Sequence, residues 1–239
     1  MPQWDELLKR IYYAADEAGG LSSVRNLYKQ ARAEQPSIRL ADVRAFLSAQ
    51  PAYTLHRPYR KRFKRNLTVA QGIDYQWQAD LADLDELQKA NDQSRYLLTV
   101  IDVFSRYAWV VPVARKTGAA VRDALREVFR VAGTRRPKHL HTDKGKEFFN
   151  REVAALLRAE NVHHFASESD QKAALVERFN RTLKLRMAHY LTGANTMRYI
   201  DVLPKLLSGY NASRHRSIGM APKDVTKAME PELWRKLYG

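Results

Sequence analysis

Three acidic residues stand where a carboxylate can do chemistry: Asp80 in "WQADL", Asp143 in "HTDKGKEF" and Glu177 in "ALVERFNRTLKLR". Asp80 and Asp143 are 63 positions apart, and Asp143 and Glu177 are 34 apart. Carboxylates from separate elements that meet at one edge offer oxygen ligands to a hard cation such as Mg²⁺, which keeps several waters and leaves room for substrate. Two such ions roughly 4 Å apart can activate an attacking oxygen and stabilise a leaving one in phosphodiester transfer. The spacing permits this convergence but does not require it.

Each acid has a plainer reading. Asp143 precedes Lys144-Gly145 and suits a turn. Glu177 stands four residues before Arg181, the spacing of a helix-surface ion pair contributing about 0.3–0.5 kcal/mol. Asp83, Asp85 and Glu86 crowd near Asp80 and read as loop acids. Asp102 ends an apolar run and reads as a group that binds neighbouring backbone. His139 and His141 alternate on one strand, and His163-His164 sit on another. With no cysteine in the chain, these histidines read as core or edge residues rather than zinc ligands.

The rest of the composition points to a polyanion. Lys+Arg 41 against Asp+Glu 26 gives +15, with a sequence pI near 10.0. From Val43 to Ile73 there are seven bases and no acid. Arg57, Arg60, Lys61, Arg62, Lys64 and Arg65 cluster around Tyr59 and Phe63, as in an arm laid over phosphates with aromatics free to stack. A solvated linker, doubling as a nuclear-import signal, is the plainer reading. The absence of cysteine rules out disulfides, thiolate zinc sites and a Cys nucleophile. No apolar run approaches the ~20 residues that span a bilayer, and the acidic N-terminus is unlike a signal peptide. The sequence therefore reads as a soluble, intracellular protein.

The elements that must position the acids follow from periodicity. Residues 4–50 predict three short helices with tight turns, which suit a helix-turn-helix bundle or any other small helical bundle. Ser22 or Ser23 can cap the second helix. From residue 74 the pattern becomes α/β. "YQWQADLADL" alternates, with Trp77, Ala79 and Leu81 on one side and Gln76, Gln78 and Asp80 on the other. "YLLTVIDVF" reads as a strand buried on both faces, and "AWVVPV" returns antiparallel to it. Helices are predicted over 117–132, over "FNREVAALLRAEN", from about Lys172 to Tyr190, and over about 195–211 with a kink at Pro204. "KHLHTD" and "VHHFA" are the remaining strands. On the long helix Val176, Phe179, Leu183, Met187 and Tyr190 form an apolar stripe. Glu177, Arg181 and Lys184 share an adjacent one.

Taken together, "WQADL", "HTDKGKEF" and "KAALVERFNRTLKLRM" resemble the three catalytic blocks of the DDE integrase/transposase superfamily. "YLLTVIDVFSRYAWVVPV" and "YNASRHRSIGMAP" resemble non-catalytic blocks of its retroviral-type integrase core. The resemblance runs from about Ile73 to Thr226. The long-helix block and "RHRSIGMAP" look closest to integrases of Maverick/Polinton-type transposons, which also tend to carry a helical module and an arm like "YTLHRPYRKRFKRN".

The resemblance implies a ribonuclease H-like core, a mixed five-stranded sheet with flanking helices, preceded by a helix-turn-helix-like domain. It implies domains at 1–52, with a basic arm at 53–73, the core at 74–226 and a tail at 227–239. It implies Asp80, Asp143 and Glu177 as ligands of two Mg²⁺ or Mn²⁺ ions, and Asn180, Arg181 and Lys184 as contacts to an element's DNA end. Lys144 and Lys146 are further candidates for phosphate, with Lys172 and Arg178 weaker ones. The implied activity is removal of terminal nucleotides from mobile-element ends and joining of the new 3′-OH to target DNA. A dimer or tetramer on double-stranded DNA is implied, with no membrane and no zinc, located in the nucleus of a eukaryotic host or otherwise in the cytoplasm, nucleoid or a virion. The rival readings are a catalytically silent DNA-binding protein and a ribonuclease H-type nuclease. Two departures stand out. The 33 residues between Asp143 and Glu177 fit a loop shortened around "SESDQ". The sequence ends at Gly239, where relatives often continue into an SH3-like or chromodomain.

Overall fold

The computed structural model describes residues 4–56, 68–166 and 173–239. A five-stranded sheet organises residues 76–166. Its strands are β1 (Gln76–Asp83), β2 (Tyr96–Asp102), β3 (Ala108–Val113), β4 (His139–Thr142) and β5 (His163–Ala166), in the order β3-β2-β1-β4-β5. β2 lies antiparallel to both β1 and β3, as a meander with short connections requires. β4 runs parallel to β1 and to β5, so helices must make the crossovers. The helices that follow β3 and β4 are α5 (Gly118–Val131) and α6 (Arg151–Ala159).

These two helices cover one face of the sheet. Trp77, Ala79, Leu98, Val100 and Leu140 point into a core closed by Val121, Leu125, Val128, Val153 and Leu157. Trp77 and Trp109 rings lie 4.2 Å apart within it. Thr117 caps α5 by accepting from the Ala120 N–H, and Asn150 caps α6 by accepting from Glu152 and Val153.

The opposite face of β1 departs from simple alternation. Gln76 and Gln78 are buried along with Trp77. At these positions the polar side of the strand does not face water, and Gln78 is held by hydrogen bonds to another element.

The chain divides into two compact units. One comprises Met1–Lys64 with Thr182–Pro222, and the other Arg65–Arg181 with Lys223–Gly239. The first contains α1 (Asp5–Tyr13), α2 (Val24–Glu34), α3 (Leu40–Ser48) and the short α4 (Pro51–Thr54). Ser23 is the N-cap of α2 and accepts from Asn26. Leu8, Ile11, Tyr12, Leu27, Val43 and Phe46 form its buried centre. The same unit holds the later turns of α7 (Ala174–Gly193) and α8 (Leu203–Ala212). Tyr12 Oη and His189 Nδ1 lie 3.3 Å apart, and Ser213 Oγ donates to Ala18 O at 2.9 Å.

Two segments differ from the periodicity reading. The helix expected over 195–211 begins only at Leu203, with Pro204 in its first turn, where the missing N–H costs nothing. Pro204 therefore starts the helix and does not kink it. Residues 230–238 form α9 (Glu230–Tyr238), which docks beside the segment entering β1. Tyr238 Oη accepts from Ala70 N–H at 3.0 Å, and Glu230 Oε1 accepts from Ile73 N–H at 2.8 Å. A Cβ on Gly72 would come within 2.9 Å of the Glu230 carboxylate, which would have to shift away from its hydrogen bond to Ile73.

Candidate active site

Asp80 lies in the middle of β1, paired in register with Thr99. Thr99 Oγ1 donates to the Asp80 carbonyl at 3.2 Å, fixing the strand at this point. Asp80 Oδ1 accepts from the Leu81 N–H at 2.8 Å, and Oδ2 accepts from Asn180 Nδ2 at 2.7 Å. Burial raises the Asp80 carboxyl above its ordinary value, partly offset by the Leu81 N–H. The charges of Asp143 and Glu177 push it further up, and Lys116 pulls it down. The three acids and one lysine thus share an electrostatic neighbourhood.

Asp143 follows the last residue of β4, at the carboxyl end of a parallel strand where α/β sheets place their ligands. It is exposed, and its Oδ1 accepts from Gly145 N–H at 3.2 Å, closing a tight turn. That turn wraps a buried carboxylate. Glu147 is 8% exposed, and its Oε1 lies 2.8 Å from Lys116 Nζ. A Cβ on Gly145 would stand 2.5 Å from the same Oε1. A side chain at Gly145 would therefore force the Glu147 carboxylate, and with it the Lys116 contact, to shift. Lys144 and Lys146 flank it, both exposed.

Glu177 lies in the first turn of α7, exposed. The start of that helix is held by β1. Gln78 Oε1 accepts from the N–H groups of Leu175 at 3.0 Å and Val176 at 3.2 Å. Those are orphan donors of a helix N-terminus, here satisfied by a strand rather than by a local cap. Gln78 is two residues from Asp80 on the same face, so one strand fixes both an acid and the helix bearing another. Among the described residues Glu177 and Arg181 form no ion pair, so the surface-pair reading of this spacing is not realised.

The remaining sequence candidates fall in several places. Asn180 is 9% exposed, with its amide nitrogen on Asp80 and, among the described residues, no hydrogen-bond partner for its Oδ1. Arg178, Arg181 and Lys184 are exposed on α7. Arg57, Arg60, Lys61, Arg62, Lys64, Arg65 and Lys172 lie outside the described residues. Asp102 is fully buried and accepts from the N–H groups of Phe104 and Ser105, closing the β2–β3 turn, with Arg135 Nη2 at 3.1 Å. His164 stacks on Phe149 at 4.2 Å, and its Nε2 lies 2.9 Å from Thr142 Oγ1.

Sequence reasoning missed Gln78, Lys116 and Glu147. Gln78 had a signal, a glutamine sharing the strand face of Asp80. Lys116 had none, because only the connection from β3 to α5 brings it to the Asp143 turn.

The donor chemistry fits a hard divalent cation: three carboxylates, no sulfur, and mutual repulsion on Asp80 that a cation would relieve. Their arrangement is open. Among the described residues no three His, Cys, Asp or Glu side chains form a ready metal-binding group.

The sheet order, the flanking helices and an acid in mid-β1 define a ribonuclease H-like fold of the integrase catalytic core type. Residues 71–171 match the integrase core domain family. A transposon-derived protein of Caenorhabditis elegans is 41% identical over 144 residues, 60% of this chain and 50% of that protein. The Gag-Pol polyprotein of avian reticuloendotheliosis virus is 27% identical over 157 residues, 63% of this chain and 13% of the polyprotein. The chain thus spans half of the first relative and a small part of the second. The HTLV-2 integrase catalytic core domain, solved in complex with magnesium, superposes with a TM-score of 0.55 at 19% identity, covering 66% of this chain and 99% of that one. A chain of the simian T-cell lymphotropic virus intasome, solved with the PP2A regulatory subunit B56 gamma, gives 0.60 at 17%, covering 86% and 76%. At these identities the solved structures speak for the fold.

Proposed function

We propose that this chain is a DNA integrase or transposase of the DDE class that processes 3′ ends of a mobile element and joins them to target DNA. The observation that carries this reading is the match of residues 71–171 to the integrase core domain, and the charges of Asp143 and Glu177, which both act on Asp80 in mid-β1, support it. In the first step water attacks phosphorus near the element end, the P–O3′ bond breaks, the terminal nucleotides leave with a 5′-phosphate, and the element's 3′-oxygen takes a proton to become a 3′-OH. In the second, that 3′-oxygen attacks a target phosphodiester in line, a new P–O bond forms, and the target's own 3′-oxygen leaves with a proton. No covalent enzyme intermediate is needed.

Asp80, Asp143 and Glu177 would hold two Mg²⁺ or Mn²⁺ ions. When bound, such ions supply an activated attacking oxygen and a stabilised leaving oxygen. Asn180 orients Asp80 through its 2.7 Å hydrogen bond, and Gln78 sets the start of the helix carrying Glu177. Lys144, Lys146, Arg181 and Lys184 lie exposed to meet phosphates. Arg57, Arg60, Lys61, Arg62, Lys64 and Arg65 add positive charge that favours phosphate binding. Two element ends need at least two catalytic subunits, so the working form is a dimer or tetramer on DNA. The element is of Maverick/Polinton type, and in a eukaryotic host its product acts in the nucleus, otherwise in the cytoplasm, nucleoid or a virion.

The test is strand transfer with Mg²⁺ or Mn²⁺ on DNA carrying the terminal repeats that flank the source gene. Wild type joins ends and Asp143→Asn does not; equal activity in the two overturns the reading. The open arrangement of the acids favours one alternative, a catalytically silent DNA-binding protein, which the same assay identifies by wild-type inactivity with retained binding.

A further inference from the structure

The charged faces of the helices differ sharply from one to the next. In α2, Arg25, Lys29 and Arg32 follow the i, i+4, i+7 spacing. At about 100° per residue they fall within an arc of about 60° and span about 10 Å of helix. All three are exposed, and the stripe lies opposite Leu27 and Ala31, which are fully buried. The only acid of α2, Glu34, is paired with Arg10 of α1. Arg32 is braced in place, donating to Tyr28 Oη at 2.8 Å with its guanidinium 5.7 Å from that ring's centroid. Among the described residues neither Arg25 nor Lys29 has an acidic partner.

A basic face that served solubility alone would resemble α5. There Arg122 and Arg126 pair with Asp123, and Arg130 pairs with Glu127. The third helix, which a helix-turn-helix would use for reading bases, has little to offer. Its exposed side carries Ala41, Arg44, Ala45 and Ser48, and its Arg39 is tied to Asp42.

We propose that the α2 face formed by Arg25, Lys29 and Arg32 is a duplex-DNA contact surface that grips phosphates without reading sequence. Three cations along one exposed helix face can neutralise neighbouring phosphates, the contacts that supply sequence-independent affinity, and the comparison of two unrelated duplexes separates this from base readout by the arginines. The inference rests on the reading that the chain handles DNA.

The experiment measures fluorescence anisotropy of the full chain on two duplexes of unrelated sequence, across a salt series. Each phosphate contact contributes about 0.9 to the slope of log K against log salt. Arg25→Gln/Lys29→Gln/Arg32→Gln should reduce that slope by about 2.7 and weaken both duplexes alike. Arg25→Lys/Arg32→Lys keeps the charge and should keep the slope. Arg122→Gln/Arg126→Gln/Arg130→Gln removes as many charges elsewhere and should leave it near wild type. An unchanged slope in the α2 variant, or an equal fall in the α5 variant, overturns the inference. If wild type binds neither duplex, the proposed function fails with it; if wild type binds and the α2 variant behaves as wild type, this inference alone fails.

Discussion

Asn180 Nδ2 stands 2.7 Å from Asp80 Oδ2, joining a long helix to the central strand across 100 residues of sequence. The bond occupies one oxygen of the acid, while the Leu81 N–H occupies the other. Asn180 thereby governs the orientation of Asp80 from inside the protein. Hydrogen bonds to a charged group are worth about 1.5–3 kcal/mol. Asn180→Leu should therefore lower turnover about 10- to 100-fold, with the acidic limb of the pH–rate profile moved upward, because Asp80 loses a donor that favours its charged form. Single-turnover kinetics across pH would check this; an unshifted acidic limb would contradict the positioning role.

Glu177 is exposed and bonded to no base among the described residues. Its removal should leave folding untouched. Glu177→Gln is expected to keep the wild-type melting temperature and to lose strand transfer by on the order of 10³-fold or more, as loss of a member of a concerted constellation does. Calorimetry beside an end-joining assay separates the two outcomes, and a large fall in melting temperature would restore the plain ion-pair reading.

Gln78 satisfies two N–H groups at the start of α7. Gln78→Leu leaves both donors without this acceptor, a cost of about 1–3 kcal/mol. Amide hydrogen exchange should rise first at residues 174–177, before any change in the β1–β2 ladder. Uniform loss of protection would instead indicate a general core defect.

Lys116 and Glu147 form a half-buried pair beneath the Asp143 turn. Glu147 holds Lys116 above its ordinary value through their hydrogen bond, which burial of the lysine partly offsets. Lys116→Met leaves the Glu147 carboxylate buried and unpaired. The cost should be about 1–2 kcal/mol, below the roughly 3–5 kcal/mol of a fully buried pair, because Lys116 is 46% exposed. Lys116→Met/Glu147→Gln should recover most of it in urea melts, since the charge is removed along with its partner.

His164 and His189 give the protein an acid limit. Burial lowers each from the ordinary histidine value to about 4. A histidine whose folded value is depressed contributes stability that is complete above its unfolded value near 6.5 and is lost as pH falls toward 4. Thermal melts should therefore decline across that window. His164→Phe, which keeps the stack on Phe149, should flatten part of the decline. A melting temperature independent of pH between about 6.5 and 4 would show that these rings protonate without cost.

The sequence by itself marked the five strands and most of the helices, though not the start of α8 or the presence of α9, and singled out the three acids. Periodicity marked β1 to β5 and the flanking helices, because sheet and helix alternate with different periods that local side chains must obey. The blocks around Asp80, Asp143 and Glu177 were legible through their resemblance to integrase/transposase catalytic blocks, while their spacing alone left convergence open. The partners of those blocks were not. Nothing local says that Gln78 would cap a helix 97 residues away, that Lys116 would reach Glu147, or that Asn180 would turn inward to Asp80. The polar side of β1 read as one face of an alternating strand, since alternation reports which side chains differ and not what covers them. Likewise the basic residues of α2 were unremarkable in sequence until Leu27 and Ala31 were buried and Glu34 was matched to Arg10. Hydrogen bonds and ion pairs between distant segments depend on how elements pack, and only the tertiary structure decides that.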